Sequence, residues 1–337
     1  MLFSIRLFAA ALLSGAALAS CDGAALTDEL PPSPPTVGTL PISFDATTTD
    51  AQPDATSRAG ELTTSNLREM GVFASYTGTD NWNLTHTPNF MYNQLVTRSN
   101  ANSPWTYTPL KYWPNTPGEK IAFFAYSPYI ADLANVSQNT FSGYPEIYVI
   151  IPNNENDQSD VLVAVPIFAT RSTGPLQFTF RHIPAKLEFQ VKTTSDIVVT
   201  GLKLKSMAGG FIVEMDRTSV FIRNGIEYNA NVSLPLAIAG NETKTVATFY
   251  TVGVSTSGGI PKIELTYTQK GSSTILGQEI DFPRGDFFWD DTRREGKHTI
   301  FTLTLDEVRL SVSASIINTN GGGWLEENAE LNGTPIN

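Results

Sequence analysis

Cys21 is the only cysteine in this chain of 337 residues, and it offers the chain's one thiol chemistry. It follows Leu18-Ala19-Ser20, a spacing that resembles the bacterial lipobox, where the leader is cut before the cysteine and the sulfur receives a diacylglycerol. One thiol forms no internal disulfide, so lipidation at Cys21 accounts for it. The alternative is an ordinary signal peptide with a buried cysteine nearby. His86, His182 and His298 are far apart, and none has a Cys, Asp or Glu at metal-ligand spacing. His182 sits beside strand-like residues and reads as a packed histidine. Asp290-Asp291 could form a catalytic or calcium-binding pair. Followed by Thr292-Arg293-Arg294-Glu295-Gly296, it reads better as a charged hairpin tip. The chain shows no Gly-x-Ser-x-Gly nucleophile elbow and no Gly-x-x-x-x-Gly-Lys phosphate cradle. Gly321 to Gly323 lacks a strand-to-helix unit around it. No catalytic residue, metal ligand or cofactor is assigned, and the chain reads as a non-enzyme.

Two other residue sets carry binding or processing chemistry. Trp82, Trp105, Tyr107, Tyr112 and Trp113 are grouped in sequence, and exposed aromatics can stack on sugars. Their alternation places most of them in a core instead. Arg58, in the polar stretch Ser57-Arg58-Ala59-Gly60, reads either as a solvated arginine or as a protease site. Arg68 is a competing site. A net charge of −11 argues against nucleic acid, whose phosphates need Lys and Arg.

The elements around these residues are short and extended. Met1 to Arg6 carries one positive charge, and Leu7 to Ala19 is an apolar run of signal-peptide length, too short to span a bilayer. No later stretch is apolar enough for a membrane helix, so the expected attachment is a lipid anchor at Cys21. Residues 1–20 are the expected signal peptide and 21–41 a tether, containing Pro31-Pro32-Ser33-Pro34-Pro35. Ile42 to Asp45 alternates as a first strand, and Thr47 to Gly60 is loop-like. Strand-like runs follow at Met70 to Tyr76, Phe90 to Val96, Ile121 to Tyr126, Ile147 to Ile151 and Val161 to Val165. A second set starts near Gln177 and includes Lys186 to Val191, Ile263 to Thr268, Ile300 to Leu305 and Arg309 to Ser313. In Lys186-Leu187-Glu188-Phe189-Gln190-Val191, period two turns one face to a core and the polar face to water. The one helix expected is two turns at Thr63 to Met70. Hydrophobic content of 41% supports a real core, and charged residues are only 16%. Many short strands with few helices predict an all-β fold of sandwich type. The polar segment Arg171 to Pro175 suggests a division into an N-terminal domain, 42–172, and a C-terminal domain with tail, 173–337.

An ordered set of strings gives a family resemblance. Gly71-Val72-Phe73-Ala74-Ser75-Tyr76 is followed by Asn89-Phe90-Met91-Tyr92-Asn93-Gln94, then Trp105-Thr106-Tyr107-Thr108-Pro109 and Lys111-Tyr112-Trp113-Pro114. Ile121-Ala122-Phe123-Phe124-Ala125-Tyr126-Ser127-Pro128-Tyr129 comes next, and Phe178-Thr179-Phe180-Arg181-His182 with Ala185-Lys186-Leu187-Glu188-Phe189 opens the second half. This order resembles the fimbrillin family, subunits of fimbriae built from lipoprotein precursors (type V pili). The resemblance implies two transthyretin-like β-sandwich domains in tandem, and a location at the outer membrane and cell surface in a fimbrium. It implies that an arginine-specific protease removes the N-terminal segment, with the cut between Arg58 and Ala59 and the removed strand including Ile42 to Thr48. It also implies that an extended strand from the next subunit fills the uncovered groove. The expected partners are other fimbrial subunits, that protease, the membrane before trimming, and a host or bacterial surface receptor. The candidate donor strand is Val308 to Ile317, with Val308, Leu310, Val312, Ala314 and Ile316 facing inward; this segment also reads as an intramolecular edge strand. The alternative function is a monomeric surface lipoprotein of the same fold that binds glycan or protein.

Overall fold

A computed structural model describes residues 37–49, 61–133, 142–215, 220–230, 234–252, 261–282, 296–306, 309–317 and 331–332. The strands are β1 (Val37–Pro41), β2 (Phe44–Thr48), β3 (Glu69–Gly78), β4 (Met91–Thr97), β5 (Tyr112–Pro114), β6 (Lys120–Ser127), β7 (Glu146–Ile150), β8 (Leu162–Ala164), β9 (Ile167–Thr170) and β10 (Leu176–His182). They continue as β11 (Ala185–Thr193), β12 (Ile197–Glu214), β13 (Val220–Asn229), β14 (Leu236–Ile238), β15 (Thr243–Thr251), β16 (Lys262–Gln269), β17 (Ile275–Asp281), β18 (His298–Asp306), β19 (Arg309–Ile317) and β20 (Leu331–Asn332). The fold is all-β, and the only helical element among the described residues is a short 3₁₀ turn at Glu155–Asp157.

Three larger sheets carry the structure. The first has the order β2-β10-β8-β6-β3-β4, with β9 also on β6. The second is β15-β11-β18-β19-β20, and the third is β13-β12-β16-β17 with β7 and β14 also on β12. A small sheet joins β1 to β5. Strands at the centre of the first sheet are buried on both faces, so β3 and β6 read as continuous apolar runs rather than alternating ones. One face, with Val72, Phe123, Ala125 and Phe178, packs into a first core; the other, with Phe73, Phe124 and Tyr126, joins a second core filled by the other two large sheets. In the other two sheets strands such as β16 and β18 alternate, with one face in the core.

Chain order and sheet membership interleave. β7 pairs with β12 of the third sheet, whereas β10, beyond residue 173, closes the first sheet against β8 and β2. The polar Arg171 to Pro175 segment therefore joins two strands of one sheet. The helix expected at Thr63 to Met70 is absent. Thr63 O accepts from the backbone N–H of Asn66 and Leu67 in a single turn, the Asn66 side chain accepts from Thr63 N–H at 2.6 Å, and β3 begins at Glu69. The side-chain bond offers the backbone an alternative to a second helical turn.

Candidate functional site

The segment ahead of Arg58 fills a slot. β2 lies at the edge of the first sheet and, among the described strands, pairs only with β10, in parallel, with Phe178 opposite Ala46 and Phe180 opposite Thr48. Its alternation sends Ile42, Phe44, Ala46 and Thr48 inward, all buried, and leaves Ser43 and Thr47 in water. Phe44 is the anchor. Its ring stacks on Phe178 at 5.6 Å and 22°, meets Phe123 edge-on at 5.9 Å, and leans on Tyr107 at 5.5 Å. Trp113 closes the wall behind Phe123 at 5.9 Å. Ahead of β2, β1 pairs with β5 and approaches it so closely that a Cβ on Gly38 would lie 1.9 Å from the Trp113 carbonyl oxygen.

Polar contacts hold both ends of the slot. At one end the Tyr107 hydroxyl donates to Ile42 O at 2.9 Å, and Ile42 N–H donates to Lys111 O at 2.9 Å. Burial raises the Tyr107 pKa above its ordinary value, against the opposing hydrogen bond to the Lys111 backbone, so the phenol keeps its proton. At the other end Thr48 and Thr64 bond reciprocally. Thr48 N–H donates to Thr64 Oγ1 at 2.8 Å, Thr64 N–H donates to Thr48 Oγ1 at 3.0 Å, and the two hydroxyls lie 2.9 Å apart. On the outward edge the Ala46 N–H is taken by the Asp45 carboxylate at 2.8 Å.

The described chain from Glu61 onward is anchored differently. Glu61 forms a buried 2.6 Å ion pair with Lys186 of β11. Leu62 N–H donates to Asp160, which holds His182 at 2.5 Å in a fully buried pair. The buried Arg98 guanidinium donates to the carbonyls of Leu67, at 2.8 Å, and Thr64, and lies 4.7 Å over the Trp105 ring. These ties place Thr64 against Thr48 and belong wholly to the part after Arg58.

The sequence-based candidates distribute as follows. Cys21, Arg58, Ala59, Val308, Asp290-Asp291 and Gly321 to Gly323 lie outside the described residues. Leu310, Val312 and Ala314 are buried in the second core from β19, and Ile316 is paired with Thr299. β19 is matched to β18 along all of its residues, Arg309 to Ile317. The aromatics do not form one cluster: Trp105, Tyr107 and Trp113 serve the first core, and Trp82 packs on Phe124, Tyr144 and Phe168. His182 is packed, and its Nδ1 lies 2.5 Å from the Asp160 carboxylate as well. Sequence reasoning missed Tyr107 as a backbone holder and Thr64 altogether; a lone hydroxyl in a turn gives no local sign of a partner on another strand.

Comparison with known proteins places the chain in a family. A fimbrillin-like family pattern matches residues 55–319. The chain belongs to the fimbrillin-like family. Among solved structures, a putative cell adhesion protein from Bacteroides uniformis shares 16% identity with this fimbrillin-like chain, covers 82% of it and 97% of its own length, and superposes with a TM-score of 0.54. A putative cell adhesion protein from Bacteroides ovatus shares 14%, covering 86% of this chain and 99% of its own, with a TM-score of 0.51. The fimbrial anchor protein Mfa2 from Porphyromonas gingivalis shares 11%, covering 85% and 100%, at a TM-score of 0.42. No curated protein sequence matches. The first two likenesses support the fold, and family membership makes this a fimbrial or adhesin-like subunit. It points to a structural role rather than catalysis.

Proposed function

We propose that this protein is a structural or adhesive subunit of a bacterial surface fimbria and that β2 is a temporary occupant of its slot. In this reading the precursor is exported with residues 1–20 as signal peptide, lipidated at Cys21, and cut between Arg58 and Ala59 by an arginine-specific protease. The leader strand then leaves and an extended strand of the next subunit takes its place. The carrying observation is that the strand ahead of Arg58 supplies Ile42, Phe44 and Ala46 to a core yet sits at a sheet edge on one described neighbour.

Magnitudes favour refilling. Burying Ile42 and Phe44 contributes ~1.5–3 kcal/mol each and the Ala46 methyl ~0.8 kcal/mol, so the strand's side chains contribute about 4–7 kcal/mol before ordering costs. That is comparable with a whole domain's stability of ~5–15 kcal/mol. An emptied slot would expose the Phe178 and Phe123 rings and the open edge of β10, a template for strand addition. Residues 308–317 remain the proposed donor. Because β19 is fully paired with β18, donation requires it to leave that ladder.

The test is arginine-specific proteolysis followed by N-terminal sequencing and mild denaturing gels. A product starting at Ala59 that runs as a ladder is the expected result. A trimmed chain that stays monomeric at high concentration would end the polymer reading. The alternative, a monomeric surface lipoprotein binding glycan or protein, has one observation in its favour: Phe168 is 57% exposed beside Trp82, at 5.7 Å. A positive glycan array that loses its signal with Phe168→Ser would support that reading.

A further inference from the structure

A strand slot must fix where along its length the strand stops. Slipping by one residue turns every inward side chain to water, so alternation itself forbids that error. Slipping by two keeps the faces correct and moves Phe44 onto the place of Ala46. The apolar wall opposes this only through size. Two side chains of the retained part that touch the leader's backbone are better placed to oppose it. Tyr107 holds the carbonyl of residue 42, and Thr64 holds the N–H of residue 48 and donates to its hydroxyl. Six residues of strand span roughly 20 Å, so these contacts measure the strand at both ends. Both stay behind when the leader departs, and Arg98 fixes the Thr64 turn independently of β2.

We propose that Tyr107 and Thr64 set the register of any strand that fills this slot. The incoming partner is then an extended segment of a second subunit with the pattern apolar–x–large apolar–x–small–x–Ser/Thr, running parallel to β10. This rests on the strand-exchange reading and adds to it. Tyr107 reads only main chain, so the first position tolerates any apolar residue. Thr64 donates to a side-chain oxygen, so the fourth position favours a hydroxyl; residues 310–316 of this chain fit the first three positions but bring Ile316 to the fourth, so the strand of a different subunit fits this slot better than that of a second copy.

Disulfide trapping tests the assignment. Thr47 and Thr179 are opposite one another and exposed. Paired neighbouring strands lie ~4.8 Å apart, within the ~4.4–6.8 Å that a disulfide needs between Cα atoms. The whole chain carrying Thr179→Cys is cut once between residues 50 and 60 and offered an excess of synthetic peptide 40–49 with cysteine at 45, 47 or 49. The expected result is trapping through position 47, with little through 45 or 49. In Tyr107→Phe with Thr64→Val the preference for 47 should fall roughly thirtyfold, since two hydrogen bonds are lost at about 1 kcal/mol each. A peptide with Thr48→Val probes the same contact with the protein untouched, and should lose about fivefold in retention. If the unaltered chain takes up no peptide, strand exchange itself fails. If peptide enters but the variants trap with the same preference for 47, exchange stands and the register assignment is overturned.

Discussion

The leader strand β2 and the late strand β19 both run extended and send alternate side chains into a core, yet they are held in opposite ways. β2 has one described neighbour, paired in parallel over Phe44 to Thr48. β19 is antiparallel to β18 over Arg309 to Ile317, with β20 touching its far side at Ser313 and Ala314. Parallel pairing is slightly weaker per residue. Attachment of β2 therefore depends on one large ring and on hydroxyls at its ends, whereas attachment of β19 depends on a long ladder with Leu310, Val312 and Ala314 beneath it. The two strands differ in ladder length more than in side-chain pattern.

The largest effect that would break this comparison lies at β19. Leu310→Ala with Val312→Ala should cost about 5 kcal/mol in urea denaturation, before and after any cut, because both leave cavities in the second core. A loss no greater than that of a single leader substitution would place the two strands in one class. Phe44→Ala should cost about 3 kcal/mol in the uncut chain. In a chain trimmed after Arg58 it should change nothing, and denaturation midpoints of both forms check this. Acid sensitivity should sharpen the contrast next. Burial opposes ionisation of Glu188, but hydrogen bonds from His298, Gln190 and Thr245 outweigh it and hold its pKa at about 2, below the ordinary 4.5. Its contribution is therefore present above pH 4.5 and lost as pH falls toward 2. Glu188→Gln should flatten the acid limb of stability in that window, measured by thermal unfolding against pH. The smallest effect is Asp45→Ala. It frees the Ala46 N–H on the open edge, should cost about 1 kcal/mol, and should speed light-scattering growth because a charge that guards the edge is gone.

Most strands were legible because their apolar spacing is local: β3, β4, β6, β11, β16 and β18 fall on the runs that alternate or fill with Val, Ile and Phe. The two-turn helix was not, because Thr63 and Asn66 satisfy each other in one turn. Pairing was illegible as well. Nothing near Phe44 announces that Phe178 lies opposite Ala46, and nothing near Ile147 assigns its strand to β12. Lys186 and Glu188 sit on the polar face of an alternating strand, and period two sends them to water. Instead Lys186 is buried against Glu61, which covers it from another part of the chain, and Glu188 is half-buried against His298 of the neighbouring strand. In the slot, the apolar leader was visible from Ile42 and Phe44, while the hydroxyls at its ends were not, because one hydroxyl resembles another until its partner is known.

The parallel orientation of β2 on β10 has one more consequence. A segment seated this way has its beginning at Tyr107 and its end at Thr64, and the reverse insertion would forfeit both end contacts. Joints made by such seating all point in one direction. A fibre assembled from them would have two chemically distinct tips, one presenting a vacant receptor and the other an unplaced tail, so elongation would be vectorial.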